Sequence, residues 1–462
     1  MIPRGMFVNR EEELKLLHEV FSSGKAELVL LYGRRRVGKT RLLLEALKDF
    51  ENSIYLLADL SESILDIFAK EISRKYGFIR FANWEEFFEF LYSRASREPF
   101  IVVIDEFQYL YKVYKPWVTV LQRWWERLKE TSIKLVLCGS IISAIYKVGV
   151  GYGSALYGRK TYEIEVKPLR FLDARKFFPS YSMEDAVRVY AVLGGIPRYL
   201  EEFDPERSVL ENIETKILKP GAFLYNEPYN LLLEEFKDVH RYFAILLAVA
   251  QGYTKFNEIS SYSRISPNKL PKYLGTLERV GILERKTPVT ATKVKARTTR
   301  YKIRDCFYDF YFKFVYPNRS AIEYGAYTLN PEELEQHVAK VFQQEVAVEA
   351  IIELSKRRQL PLKVSRIGGW WHRGEEIDVV ALDEQNSRML LCEVKWGTLK
   401  KREVHRLLRE LASKAEAVDW RKERRKVHCM VFARRLEEKA ELRKELPVNT
   451  SAFDLLDLEK LS

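Results

Sequence analysis

An α/β protein of about three domains is predicted by three patterns in this sequence of 462 residues, at roughly 100 to 200 residues per domain. An apolar run from Leu28 to Tyr32 passes through a glycine-bearing turn into a helical pattern from Arg41 to Phe50, which reads as strand, tight loop and helix start. Two further β-branched runs, Phe100 to Leu110 and Ser132 to Gly139, are continuous enough for parallel strands buried on both faces. From residue 331 onward a long helical pattern precedes short apolar runs that carry acids and a lysine, the mark of a second α/β unit.

The loop comes first. Residues 33 to 40 read Gly33-Arg34-Arg35-Arg36-Val37-Gly38-Lys39-Thr40, a GxxxxGKT phosphate loop. Backbone N–H groups at a helix start cradle phosphates, Lys39 reaches the β and γ oxygens, and the Thr40 hydroxyl ligates Mg²⁺. Arg41 completes the run of nucleotide-binding candidates. The segment FIVVIDEFQYL then places Asp105 at a strand end, at the same sheet edge, where it can hold the Mg²⁺ water shell while Glu106 polarises the attacking water. Ser140, after the third run, either touches the γ-phosphate or caps a helix over residues 141 to 148.

Composition narrows the class. Hydrophobic residues make up 47%, enough for ordinary cores, and the four scattered cysteines have no CxxC or His spacing that suggests zinc. A reducing cytoplasm is expected. Residues 1 to 9 have no signal pattern, and the longest apolar stretch, Tyr242 to Ala250, is far short of the ~20 residues that span a bilayer, so no membrane partner is expected. The net charge is +12, and Lys400 to Lys426 holds eleven Lys or Arg against five Asp or Glu, half of that excess, on what reads as a basic helix able to track a polyanion. The 31% charged residues hint at a thermophilic source.

These pieces resemble the archaeal Walker-type ATPases of the AAA+ and STAND type, which count origin-recognition-like proteins among their distant relatives. The resemblance covers residues 1 to about 310: Phe7-Val8-Asn9-Arg10-Glu11, then GRRRVGKT, IDEFQ and LCGS, then LYGRKTYEIEVKPL, then Gly195-Ile196-Pro197. It implies an ATPase core at 1–170 and a helical lid at 171–235. It also implies that Asn9 and Arg10 lie near the adenine, that Pro197 meets the nucleotide from the lid, and that Arg159 senses the γ-phosphate. A guanidinium there stabilises charge on the transferred phosphoryl, in cis or from a neighbouring copy in a homo-oligomer; a surface arginine at a strand start is the other reading.

Residues 236–316 read as a winged helix: helical patterns at 241–251, 255–261 and from Ser266-Pro267 to Val280, then a β-branched hairpin, 282–304, with Lys293, Lys295, Arg297, Arg300, Lys302 and Arg304 and no acid among them. The third helix would enter the major groove of DNA, with Lys269, Lys272, Tyr273 and Arg279 on or near it, and the wing would touch phosphates. The alternative is a module used for packing. A linker at 317–330 follows.

In the last domain, 331–462, Asp378 stands fifteen residues before Glu393, in GEEIDVVAL and LLCEVKW. Strand alternation puts Glu393 and Lys395 on one face, and a hairpin from Val379 to Leu391 brings Asp378 beside them. Two carboxylates and an ammonium can hold Mg²⁺, or Mn²⁺, against a phosphodiester while Lys395 orients a water. This arrangement resembles the PD-(D/E)xK nuclease superfamily, including Holliday-junction resolvases and restriction-endonuclease-like domains, though no proline precedes Asp378. In that superfamily a helix often adds an acid. Glu345 lies within the apolar stripe Val338, Val341, Phe342, Val348, Ile351 and Ile352, so it is the candidate third ligand, or an acid at the stripe's edge that reaches water.

The expected function is ATP binding and hydrolysis coupled to DNA through the winged helix and a metal-dependent nuclease-like domain. A STAND-type signalling switch that binds DNA or protein without cutting is the alternative, and a transcription-like regulator with ATP as a ligand is the third.

Overall fold

The computed structural model describes residues 8–461 except 147, 149–153, 155, 237 and 294–297; Phe7, Lys295 and Arg297 lie outside the described residues. Two compact units make up the chain, one of residues 8–168 with Ile196–Arg198, the other of 169–195 with 199–461. The described residues contain no helix long and apolar enough to cross a membrane.

The first unit is a five-stranded parallel sheet of β1 (Glu27–Tyr32), β2 (Ser53–Leu57), β3 (Phe100–Asp105), β4 (Ile133–Gly139) and β5 (Tyr162–Glu165), in the order β2-β3-β4-β1-β5. β1, β3 and β4 are buried along their whole length, the state that their uninterrupted apolar sequences demand. Helices Ile64–Tyr76, Trp84–Ala95 and Trp117–Leu128 contribute Phe68, Phe87, Phe88 and Trp117 to the core beside the sheet. From β1 the chain runs to β2 at one edge, and after β4 it crosses back over β1 to β5 at the other. The carboxyl ends of β1 and β4 therefore lie where the connections diverge, the position at which α/β sheets bind ligands.

In the second unit, helices Val239–Ala250, Phe256–Ser263 and Leu270–Arg279 are followed by an antiparallel pair, β6 (Leu283–Lys286) and β7 (Arg300–Ile303). Ser266-Pro267 does not open the third helix: the Ser266 carbonyl accepts from Lys269 and Leu270 N–H in the preceding turn. Tyr273 lies on the third helix, on its inward face. It is buried against Tyr242, with its hydroxyl held by Arg241, because the apolar face of this helix packs inward and leaves Lys269, Lys272 and Arg279 exposed. The expected linker contains helix Arg319–Glu323, whose Ile322 is buried and whose Arg319 lies over the Tyr225 and Tyr229 rings.

The same unit ends in a mixed sheet of β8 (Arg366–His372), β9 (Glu375–Asp383), β10 (Arg388–Leu399), β11 (Lys426–Leu436) and β12 (Thr450–Asp454), in the order β12-β11-β10-β9-β8. β8, β9 and β10 pair antiparallel, whereas β10, β11 and β12 pair parallel, joined by helices Lys401–Lys414 and Lys439–Glu445. The long helical segment before β8 runs as Pro331–Val341, a π-helical turn Phe342–Val346, and Ala347–Lys356. A π turn inserts one extra residue and slips the helix face. The turn ends on buried Val346, and after it the buried positions are Ala347, Glu349, Ala350, Ile351 and Leu354, while Val348 and Ile352 are only half-buried.

After that slip Glu345 stands at the edge of the stripe, the alternative to a metal ligand. Val346 takes the core position and Glu345 moves to the edge, where its carboxylate pairs with Lys302 of β7. Lys302 thus binds an acid of its own chain, and other wing contacts follow suit. Val289 N–H donates to Gly369 O at 3.0 Å, Trp371 Nε1 donates to Thr298 O at 3.0 Å, and Arg300 reaches both Glu376 oxygens while lying over the Trp371 ring. Val289 is part of the core that contains Trp370 and Ile377. The hairpin is docked on the C-terminal sheet.

Candidate functional site

The phosphate loop leaves β1 at Gly33, where a Cβ would lie 2.3 Å from Val166 O, so only glycine lets the chain after β5 pass. Gly38, at φ +98°, makes the left-handed step into helix Lys39–Leu47. Arg10 braces this loop: its guanidinium donates to Val37 O at 3.2 Å and Lys167 O at 2.6 Å, and Asn9 Oδ1 accepts the Arg10 N–H at 2.7 Å. Both residues therefore stand beside the loop and the segment after β5. Arg35 donates to the Tyr109 hydroxyl at 2.7 Å.

Lys39 is buried, donates to Gly33 O and Arg34 O at 3.0 Å each, and has its pKa lowered by burial. Thr40 Oγ1 donates to Asp105 Oδ2 at 2.6 Å, and so does the Tyr55 hydroxyl, also at 2.6 Å. Glu106, at φ +54°, accepts on Oε2 from Ser140 Oγ at 2.6 Å and from Gln108 Nε2. Ser140 is not a helix cap. The helix is Ile142–Ile145, its N-cap is Ile141 without a side-chain bond, and the serine hydroxyl is turned to Glu106. Arg159 pairs with Glu126 at 3.2 Å, the two side chains one-third and half exposed. Pro197 opens the short helix Pro197–Leu200.

The donor set suits a Mg-nucleotide. Asp105 is 1% exposed, and among the described residues no ammonium or guanidinium pairs with it, so its buried negative charge is met by hydroxyl, amide and thiol donors, the last from Cys138. A divalent cation would offset that charge, and Lys39, which among the described residues donates to carbonyls alone, is set to meet phosphate.

The second constellation forms where β9 pairs with β10. Lys395 Nζ lies 2.8 Å from Glu393 Oε1, and Asp378 Oδ2 accepts Val394 N–H at 2.8 Å. Asp378 Oδ1 accepts from Gln343 Nε2 at 2.7 Å, so the residue that the π turn presents to this carboxylate is Gln343. Lys414, at the end of its helix, donates to Glu376 O at 3.0 Å and stands 3.9 Å from Glu393 Oε2. Burial, then the Glu393 charge, pushes Asp378 up to about 6. Among the described residues no three His, Cys, Asp or Glu gather as a metal cluster. Two carboxylates remain, which is a donor count Mg²⁺ accepts when phosphate and water complete its shell.

Tyr55, Gln108, Gln343 and Lys414 were not found from the sequence. Gln108 follows the Asp-Glu pair directly and was open to inspection. The other three carry no local signal, because each reaches its site from a different element.

Two family descriptions match the chain: an ATPase domain predominantly from Archaea, over residues 7–203, and archaeal and bacterial proteins of unknown function, over residues 311–407. A Methanocaldococcus jannaschii protein, MJECL04, is 38% identical over 418 residues, 89% of this chain and 92% of that protein. An ATP-binding protein of the same organism, MJ0423, is 54% identical over 44 residues, 10% of this chain and 75% of that one. The solved ORC2 protein of Aeropyrum pernix, in ADPNP and ADP complexes, aligns at 14% identity with a TM-score of 0.45, over 70% of this chain and 96% of that one.

Proposed function

We propose that this chain, which belongs to one family with the Methanocaldococcus jannaschii protein MJECL04 and matches an archaeal ATPase domain over residues 7–203, couples ATP hydrolysis in its first unit to a DNA-associated, metal-dependent nuclease-like module in its second. In the ATPase site Lys39 binds the β and γ oxygens, Thr40 and Asp105 hold the metal, and Glu106, steadied by Ser140 and Gln108, orients the water. Magnesium, when bound there, neutralises charge on the phosphates. Asn9, Arg10 and Pro197 serve the nucleotide's base side, and Arg159, on leaving its exposed pair with Glu126, serves the γ-phosphate in cis or from a neighbouring copy.

One observation carries the nuclease reading: Asp378, Glu393 and Lys395 converge at the β9–β10 register, with Gln343 and Lys414 beside them from elsewhere in the chain. DNA runs along Arg402, Arg406 and Arg409, which share the exposed face of helix Lys401–Lys414. The wing serves to join the three-helix module to the C-terminal sheet, so the two answer to nucleotide as one part.

The test is cleavage of plasmid and branched DNA in Mg²⁺ or Mn²⁺, with and without ATP, comparing wild type, Asp378→Ala and Lys39→Ala. Cleavage lost in Asp378→Ala supports the nuclease, and further dependence on Lys39 supports gating by ATP. A second reading is favoured by the diversion of Glu345 to Lys302, which leaves the site two acids: a STAND-type switch whose C-terminal module binds DNA or protein without cutting. ATP turnover with no cleavage under any condition selects it.

A further inference from the structure

Asp105 is the carboxylate on which the metal assignment rests, and its surroundings contain one donor that no motif contains. Its Oδ1 accepts the Glu106 N–H at 2.9 Å, and its Oδ2 accepts two hydroxyls at 2.6 Å, from Thr40 and Tyr55. A carboxylate has about four acceptor positions. Three are therefore taken by oxygen and nitrogen donors, and the buried Cys138 thiol, a weaker donor, also lies against the carboxylate.

Tyr55 reaches Asp105 by strand register. β2 pairs parallel with β3, with Tyr55 opposite Val103 and Leu57 opposite Asp105, so the tyrosine starts two residues short of the carboxylate on the same face and spans that gap with its ring. An apolar side chain of similar size would pack against the same face. Only the hydroxyl adds a donor, and it does so in an enclosed place, where a hydrogen bond to a charged group is stronger than in water.

We propose that Tyr55 is a positioning residue for the Mg-nucleotide. Its hydroxyl holds the Asp105 carboxylate in one rotation, which would otherwise be set by Thr40, the Glu106 N–H and the weaker Cys138 thiol. Sharing Oδ2 with Thr40, it also carries part of the demand for donors that the Thr40 hydroxyl would otherwise meet alone. Without it, the carboxylate turns about its Cβ–Cγ bond and pulls on Thr40, the other residue assigned to the metal. The inference rests on the assignment of Asp105 to magnesium.

The experiment compares wild type, Tyr55→Phe, Tyr55→Leu and Asp105→Asn. Binding of a fluorescent ATP analogue is measured in EDTA and over a Mg²⁺ titration, alongside phosphate release and thermal unfolding. In Tyr55→Phe, affinity in EDTA stays at the wild-type value, and the unfolding midpoint falls by no more than one lost hydrogen bond to a charged group accounts for. The Mg²⁺ concentration for half-maximal tightening rises and kcat falls, each by about tenfold, the effect of one hydrogen bond to a charged group, while KM for ATP changes less than about twofold. Tyr55→Leu shows the same metal defect. Should Tyr55→Phe match wild type while Asp105→Asn loses its Mg²⁺ response, the role of Tyr55 is overturned and Asp105 stands. A Mg²⁺ response retained in Asp105→Asn overturns both. A defect confined to Tyr55→Leu assigns the effect to ring packing and overturns the role of the hydroxyl.

Discussion

Lys302 lies on the strand expected to touch DNA, yet its ammonium is paired with Glu345 and its side chain is only 12% exposed. Replacing it by methionine keeps the aliphatic stem and removes the charge, which leaves Glu345, 35% exposed, able to draw on water. Replacing Glu345 by glutamine does the reverse and leaves the more enclosed ammonium without its counter-ion. Removing one partner of a buried pair costs about 3–5 kcal/mol. The access of Glu345 to solvent brings the Lys302→Met cost down to about 1–2 kcal/mol, and Glu345→Gln stays near the lower buried figure, about 3 kcal/mol. The double variant recovers part of the loss, with a coupling of about 1–3 kcal/mol. Urea unfolding of the four proteins at pH 7 measures these values, and DNA affinity against salt concentration measures the rival role, since each phosphate contact contributes about 0.9 to the logarithmic slope. A Lys302→Met protein that unfolds like wild type within about 0.5 kcal/mol, with a salt slope lower by about one, would refute the docked-wing reasoning.

Three further outcomes are expected. Changing Arg402, Arg406 and Arg409 together to alanine weakens DNA binding across sequences and lowers the salt slope by about three times 0.9, with no change in ATP affinity; filter binding at several salt concentrations reads it. Glu349 is 8% exposed and accepts N–H bonds from Phe171 at 2.8 Å and Leu172 at 3.4 Å, and burial pushes it from its ordinary value up to about 7. The folded chain therefore holds a proton there that the unfolded chain has released, so stability falls as pH rises from about 4.5 to about 7, by at most ~3 kcal/mol. Urea midpoints across that window lose this component in Glu349→Gln; equal slopes in both proteins would count against the burial argument. Gly33→Ala sets a methyl against Val166 O, displaces the chain after β5 and lowers nucleotide affinity at least tenfold, about 1.4 kcal/mol, as titration with the fluorescent ATP analogue would show.

The sequence by itself determined what is written in contiguous residues. The phosphate loop, the strand ending at Asp105 and the Glu393-Val394-Lys395 tripeptide are each a strand joined to polar groups at its end, and alternation alone puts Glu393 and Lys395 on one face, 2.8 Å apart in the fold. The β9–β10 hairpin was legible for the same reason, because its turn is short and its register local. The tertiary structure alone decided which side chains arrive from elsewhere. Tyr55 meets Asp105 through a parallel pairing whose strands are far apart in the chain, and Lys414 reaches Glu393 only after its helix folds back over the sheet. Glu345 shows the limit most clearly. An apolar stripe counted at 3.6 residues per turn places it in the core, but one added residue in the Phe342–Val346 turn shifts every later side chain by about 100°. With that shift Gln343 meets Asp378 and Glu345 meets Lys302, so that Lys302, read from the sequence as a basic group of the wing, is paired within the chain.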